Sequence, residues 1–363
     1  MYRTIFLIFF SFFTMILTAQ KQNVKKGDKR VDFAFMPVLM YNRSFGGQLG
    51  VMTNAFFDVN KKDTVSAASS VAFIGNYFTN KTYFTGLFGQ FHLNEDKWRI
   101  KAGTGYANVN FQTYFEIPPE FSDIIIPVED GLFIDYNTKR LFVFGEISRK
   151  VIPNLYLGLR SVYSRAYTEF DTALKPDEDM KLVGFGASVQ FDTRDYVLNP
   201  SKGINTRIQS MSYLESLGSS NTFHRINLEY NHFFNLGEKS VLLARFYSML
   251  SVGDDVPFSG KNVIGRDDLR GYTNGKHRAN QVYDIQSEYR WNFYKKWGMV
   301  AFTGLALATD NWKGDNYSGV LPSAGAGLRY KVIPKRGINI GLEAAVGKED
   351  WGVYFRIGET FTR

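Results

Sequence analysis

The sequence predicts an all-β chain: one antiparallel, sixteen-stranded β-barrel that crosses a membrane. Three observations carry that expectation. Apolar and polar residues alternate with period two over most of the chain. The alternating segments run ~10 residues or more, the span of a tilted membrane strand and about twice the length of a strand in a soluble sandwich. The polar parity holds Arg160, Arg329 and Arg356 at mid-segment. A dry core rejects isolated guanidinium groups, whereas a wet lumen accepts them.

At the N-terminus, Met1-Tyr2-Arg3-Thr4 leads into an apolar run from Ile5 to Leu17, followed by Thr18-Ala19. One positive charge, a short apolar core and a small final residue predict a secretory signal over residues 1–19, with Gln20 as the mature start. The run is too short for a transmembrane anchor, and a polar stretch follows at once. Residues 20–30 hold Lys21, Lys25, Lys26, Lys29 and Arg30 against Asp28. So short a piece does not fold alone. It is expected to be a disordered periplasmic tail, with one barrel domain over residues 31–363.

Sixteen segments follow, beginning near residues 31, 46, 65, 82, 97, 137, 154, 180, 202, 220, 239, 282, 296, 320, 337 and 351. The eighth sets Val183, Phe185, Val189 and Phe191 against Gly184, Gly186, Ser188, Gln190 and Asp192. The twelfth sets Tyr283, Ile285, Tyr289 and Trp291 against Asp284, Gln286, Glu288 and Arg290. In the fifteenth, Ile338, Ile340, Leu342, Ala344 and Val346 oppose Asn339, Gly341, Glu343, Ala345 and Gly347. In the sixteenth, Trp351, Val353, Phe355 and Ile357 oppose Gly352, Tyr354, Arg356 and Gly358. An even count puts both chain ends on the periplasmic side. The odd-numbered connections contain the long ones: residues 110–136, 171–179, 253–281 and 310–318. The even-numbered ones are mostly tight, with residues 193–201 the exception. Long outer loops and short periplasmic turns are the asymmetry such barrels show.

Composition excludes other classes. Cysteine is absent from the 363 residues, which removes disulfide scaffolds and thiolate metal sites. Aromatic residues make up 16%, in keeping with strands that end in aromatic girdles. The mean hydropathy is slightly negative, as an apolar outer face averaged with a polar inner one requires. The formal charge of +8 contains no long basic run. With an export signal present, nucleic acid is not an expected partner. No metal, cofactor or catalytic residue is indicated.

The segment Gly265-Arg266-Asp267-Asp268-Leu269-Arg270-Gly271-Tyr272 lies in the eleventh connection, the sixth outer loop. On composition alone it is a charged surface loop, with glycines that permit a tight path and an arginine whose fork suits a fixed carboxylate. Two other segments stand out. Phe191-Asp192-Thr193-Arg194-Asp195 precedes the turn sequence Leu198-Asn199-Pro200-Ser201-Lys202-Gly203, and the chain ends Phe355-Arg356-Ile357-Gly358-Glu359-Thr360-Phe361-Thr362-Arg363.

Together the three resemble the BamA/TamA (bacterial surface antigen) superfamily of outer-membrane barrels. Leu269-Arg270-Gly271-Tyr272 stands where that family has Val-Arg-Gly-Phe/Tyr. Asp192, Arg194 and Asp195 stand at its strand-eight end, and Phe355, Ile357, Gly358 and Phe361 in its C-terminal insertion signal. The likeness covers the C-terminal half. It implies that the sixth loop folds into the lumen and that Arg270 meets an acid on the inner wall. The candidates are Asp284, Glu288 and Glu343. The family's acid on the thirteenth strand is missing, since that strand reads Phe302-Thr303-Gly304. Either another strand supplies it, or the loop is held more weakly. The final Thr362-Arg363 and the absence of room for periplasmic POTRA domains in residues 20–30 are further departures.

The resemblance implies insertion, assembly or translocation of proteins, or of lipids, at the outer membrane, with neither catalysis nor cofactor. Outer-membrane lipid including lipopolysaccharide, an unfolded outer-membrane protein client, a periplasmic or lipoprotein partner and a second copy of the chain are the partners it suggests. The mechanism it implies is a loose seam between first and last strands; Pro37 removes a ladder donor from one, and Gly352 and Gly358 weaken the other. A passive pore is the alternative. An outer-membrane hydrolase is less favoured: there is no Gly-x-Ser-x-Gly elbow, and His92, His224, His232 and His277 form no evident catalytic set.

Overall fold

The computed structural model describes residues 31–363 except 43–44, 61, 64, 67, 116–131, 173–176, 197–198, 255, 266–268, 273–276, 312–317, 334–337 and 362–363. The expected signal over residues 1–19 and the expected basic tail over 20–30 lie outside the described residues. Eighteen strands run in chain order: β1 (Asp32–Asn42), β2 (Gly46–Phe57), β3 (Ser69–Phe78), β4 (Tyr83–Leu93), β5 (Trp98–Phe115), β6 (Leu132–Ile152), β7 (Leu155–Phe170), β8 (Glu178–Asp192), β9 (Gly203–Tyr213), β10 (Phe223–Asn235), β11 (Ser240–Val252), β12 (Asn262–Ile264), β13 (His277–Ala279), β14 (Gln281–Tyr294), β15 (Trp297–Thr309), β16 (Leu321–Ile333), β17 (Ile338–Gly347) and β18 (Asp350–Ile357).

Sixteen of them form one antiparallel sheet in sequence order, from β1 to β11 and on through β14 to β18. The short pair β12–β13 is a separate hairpin inside the sixth outer loop. The predicted twelfth, thirteenth, fifteenth and sixteenth segments are therefore β14, β15, β17 and β18. Strands β1 and β18 lie side by side, yet no ladder joins them among the described residues.

The two faces of the sheet are inverted relative to a soluble protein. Leu159, Leu342, Val346 and Trp351 are more than half exposed, while Ser164, Asn205, Asn231, Glu288, Arg329 and Glu343 on the opposite parity are buried. Apolar side chains face outward and polar ones face the lumen, as hydrocarbon around a wet interior demands.

Two predicted boundaries are corrected. The third strand begins at Ser69 rather than near 65. The Asp63 carboxylate accepts bonds from the amides of Val65, Ser66 and Glu95 and from the Ser66 hydroxyl, and this local turn holds the chain out of the ladder. The outer loop placed over residues 110–136 begins and ends as strand: the β5–β6 ladder continues to Phe115 opposite Leu132. Asn137 Nδ2 donates to the side-chain oxygens of Asn108 and Asn110, each at 2.8 Å, and so cross-links the two strands.

Candidate functional site

The lumen beside β14–β18 is filled by the end of the sixth loop. Leu269 is fully buried, packed with Ile264, Tyr272, Ala279, Val282, Ala306, Ala308 and Leu321. Space for it exists because β15 has Gly304, where a Cβ would stand 2.9 Å from Leu269 Cδ1. Gly271 has φ +101°, and a Cβ there would lie 2.8 Å from the Val346 carbonyl carbon. Both the backbone conformation and the close approach to β17 therefore require glycine. The Gly271 amide donates to Tyr354 Oη at 2.9 Å. Tyr272 Oη donates to the Pro322 carbonyl at 2.6 Å and accepts from the Lys348 amide at 3.0 Å. Arg266, Asp267 and Asp268 lie outside the described residues, and Gly265 accepts a bond from the Leu269 amide at 2.8 Å.

Between these contacts, Arg270 is 1% exposed. Its Nη1 donates to Glu343 Oε2 at 3.1 Å. Its Nη2 stands 2.8 Å from Glu288 Oε2 as an ion pair whose angle lies outside the hydrogen-bonding range. The guanidinium lies 3.4 Å from the centre of the Phe302 ring, a desolvated cation–π contact. The thirteenth barrel strand thus offers a ring where an acid was expected, and the acid comes from the neighbouring strand: Glu288 faces Phe302 in the β14–β15 register. Asp284 makes no bond to Arg270; its Oδ1 accepts from Gln286 Nε2 at 2.8 Å.

The network extends beyond the residues the sequence singled out. Arg290 Nε donates to Glu288 Oε1 at 2.8 Å. Arg329 and Arg356 both bind Glu343 Oε1, the latter at 3.2 Å. Glu359 lies 3.5 Å from Arg290 Nε and 3.4 Å from Arg329 Nε, and accepts from Asn339 Nδ2. Four arginines and three glutamates therefore occupy one buried cluster. Period-two alternation placed Arg329 and Arg356 in the lumen. Nothing in the sequence marked Glu359 as a member.

Glu359 enters because the C-terminus turns inward. Strand β18 ends at Ile357, the chain reverses at Gly358 (φ +81°), and residues 359–361 lie in the lumen. Arg290 Nη2 donates to the Thr360 carbonyl at 2.9 Å, and Phe361 packs with Phe233 and Leu243 of β10 and β11. The expected C-terminal signal is thus split: Phe361 leaves the strand for the lumen. The side chains of Phe355 and Ile357 lie outside those described.

The sixth loop also grips the opposite wall. Phe258 packs edge-on against Tyr136 and Phe170, with centroids 5.6 and 5.2 Å away. Arg225 Nη2 donates to the Gly260 carbonyl at 2.6 Å, and Arg278, within the loop, donates from Nη1 to the Phe258 carbonyl at 3.2 Å and from Nη2 to Tyr136 Oη on the wall at 3.4 Å. At the end of β8, Arg194 forms a two-point pair with Asp192, both bonds 2.8 Å, and Asp195 accepts from the amides of Tyr196, Ser201 and Lys202 and from the Ser201 hydroxyl.

A family profile described as the Omp85 superfamily domain matches residues 39–361. The chain belongs to the Omp85 superfamily. Solved structures agree on the fold. BamA from Haemophilus ducreyi, in a form lacking POTRA domains 1–3, aligns with TM-score 0.63 at 14% identity over 92% of this chain and 73% of its own. CdiB from Escherichia coli aligns with TM-score 0.64 at 12% identity, over 92% and 63%. CdiB from Acinetobacter baumannii aligns with TM-score 0.59 at 12%, over 91% and 60%. The chain therefore spans less than two thirds of either CdiB. No curated protein matches it. The Omp85 matches run from β1 to the inward tail, so they include the whole of the buried arginine–glutamate cluster.

Proposed function

We propose that this Omp85 barrel works at the bacterial outer membrane in inserting, assembling or translocating proteins, or lipids, and that it does so without catalysis. The observation that carries the reading is the seam. Among the described residues no ladder joins β1 to β18, and β18 is only 8 residues long. An unpaired edge invites an incoming strand to add by β-augmentation. Loop six, held by Arg270, would keep the lumen shut while the seam works. In this reading residues 1–19 direct export and are removed, and residues 20–30 remain in the periplasm. An unfolded outer-membrane protein is the client favoured, lipopolysaccharide-containing lipid the surroundings, and a lipoprotein, a periplasmic protein or a second copy the source of client capture.

The test is to lock the seam. The chain has no cysteine, so paired cysteines across β1 and β18 can be scanned without background. A panel combining Phe33→Cys or Phe35→Cys with Trp351→Cys or Val353→Cys would be oxidised in the membrane. A locked barrel should lose client insertion or secretion and regain it on reduction. Full activity in a quantitatively locked barrel would exclude seam opening.

A further inference from the structure

The wall opposite the arginine–glutamate cluster has an unusual lining. Phe84 and Phe88 on β4 and Phe142 and Phe144 on β6 share the lumenal parity, for their neighbours Leu87, Leu141 and Val143 are exposed on the lipid side. The rings contact one another at centroid separations of 6.2–6.5 Å, Phe84 and Phe142 being within 7° of parallel. They lie flat on β5, which has glycine beneath them. A Cβ at Gly103 would stand 2.6 Å from Phe144 and 2.7 Å from Phe88, and one at Gly105 2.7 Å from Phe142. The result is an apolar floor on a wall that alternation makes polar elsewhere. Phenylalanine over glycine supports the sheet, but small polar residues would line a wet lumen at less cost.

The next lumenal position on β5, toward the tight turns, is Lys101. Arg207 on β9 lies within its electrostatic reach. Neither has an ion pair or hydrogen bond among the described residues. The acid near both, Glu146, is already engaged by Arg160 Nε at 3.1 Å and by the hydroxyls of Ser148 and Ser188. Glu229, opposite Arg207 in the ladder, accepts from Asn231 and pairs with Arg245 at 3.7 Å. Lys101, at the edge of the aromatic floor, and Arg207 thus share acids that other groups already hold, and neither forms an ion pair or hydrogen bond of its own among the described residues.

We infer that this wall binds an acyl-chain amphiphile with a phosphate head, the chain on Phe84, Phe88, Phe142 and Phe144 and the phosphate on Lys101 and Arg207. Charge complementarity selects the head, since an arginine fork beside an ammonium suits a phosphate oxygen pair. The slab takes the tail, because apolar surface leaves water on contact. The inference stands apart from the seam reading and does not need a protein client.

Photocrosslinking in living cells tests it. Phe144 is replaced by p-benzoylphenylalanine, with Val143 on the lipid face as the control position. Cells are labelled with radioactive phosphate and, separately, acetate. On irradiation the Phe144 position should yield an adduct carrying both labels. Lys101→Glu with Arg207→Glu should reduce that adduct by about tenfold or more, since a hydrogen bond to a charged group is worth at least that factor, while the Val143 adduct stays unchanged. If the reversed pair fails to insert, judged by heat-modifiability on a gel, Lys101→Gln with Arg207→Gln serves instead. No lumenal adduct, an adduct with acetate label but no phosphate, a protein adduct, or a phosphate adduct insensitive to both pairs of changes would each overturn the assignment.

Discussion

Removing the guanidinium of Arg270 strands carboxylates that the barrel cannot hydrate. Glu288 and Glu343 would keep Arg290, Arg329 and Arg356, but each would lose its contact with the loop. Breaking a buried pair from one side costs about 3–5 kcal/mol. Arg270→Ala should therefore lower the urea midpoint of unfolding, read as loss of heat-modifiability; an unchanged midpoint would show that the loop is held elsewhere. Arg270→Lys should rescue little, for a point charge cannot bridge two glutamates and stack on Phe302. Gly271→Ala should cost about 1–3 kcal/mol through its left-handed backbone alone, and more through the collision with Val346. At the other end of the barrel, partial burial pushes the Asp195 carboxyl upward, but bonds from the Ser201 hydroxyl and amide and from the Lys202 and Tyr196 amides outweigh it and hold the group below the ordinary aspartate range. A depressed folded value means the turn gains stability above the unfolded value of about 3.9 and loses it as pH falls through the lower folded one. Hydrogen exchange of the amides of Ser201 and Lys202 should accelerate over that acid window, and Asp195→Asn should abolish the dependence.

At the scale of elements, the C-terminal tail and the sixth loop form one assembly. Thr360 accepts from Arg270 through its hydroxyl, at 3.5 Å, and from Arg290 through its carbonyl, and Glu359 pairs with Arg290 and Arg329. Phe361 sits under Arg245 and closes the Phe233–Leu243 cluster. Truncating a buried phenylalanine costs about 3–5 kcal/mol, so Phe361→Ala should destabilise the folded barrel. In a double-mutant cycle with Arg270→Ala the two losses should fall short of additive, because both changes release the same tail; strict additivity would mean that tail and loop are independent. The hairpin β5–β6 is the other instructive element. Its strands of 18 and 21 residues exceed what a membrane needs. Side-chain amide pairing of Asn137 with Asn108 and Asn110, invisible in a one-dimensional pattern, joins the strands where the sequence placed their ends.

For the whole molecule, loop and tail together set what the lumen can pass. Loop six is attached to both walls, at Phe258–Gly260 and at Arg270–Tyr272. Sixteen strands could enclose a water channel. With the lumen so occupied, planar bilayers holding the purified barrel should show small steady conductance. Arg270→Ala combined with Phe258→Ala should raise it; a large stable conductance of the unaltered chain would mark a passive pore.

The sequence by itself determined the period of the strands, their number, and the inversion of polar and apolar faces. These are legible because a strand between lipid and water writes its two faces at alternate positions. Only the tertiary structure decided which acids Arg270 meets. Glu288, Glu343 and Asp284 share the inward parity, but their distance from a loop returning from outside depends on shear and on the path through Gly271. It also decided that Phe302 replaces the expected acid by stacking, with Glu288 supplying the charge from the opposite register position. The inward turn at Gly358 lay beyond the pattern as well. A single left-handed residue ends the alternation there, and what the following three residues touch is set by strands as far back as Phe233 and Leu243.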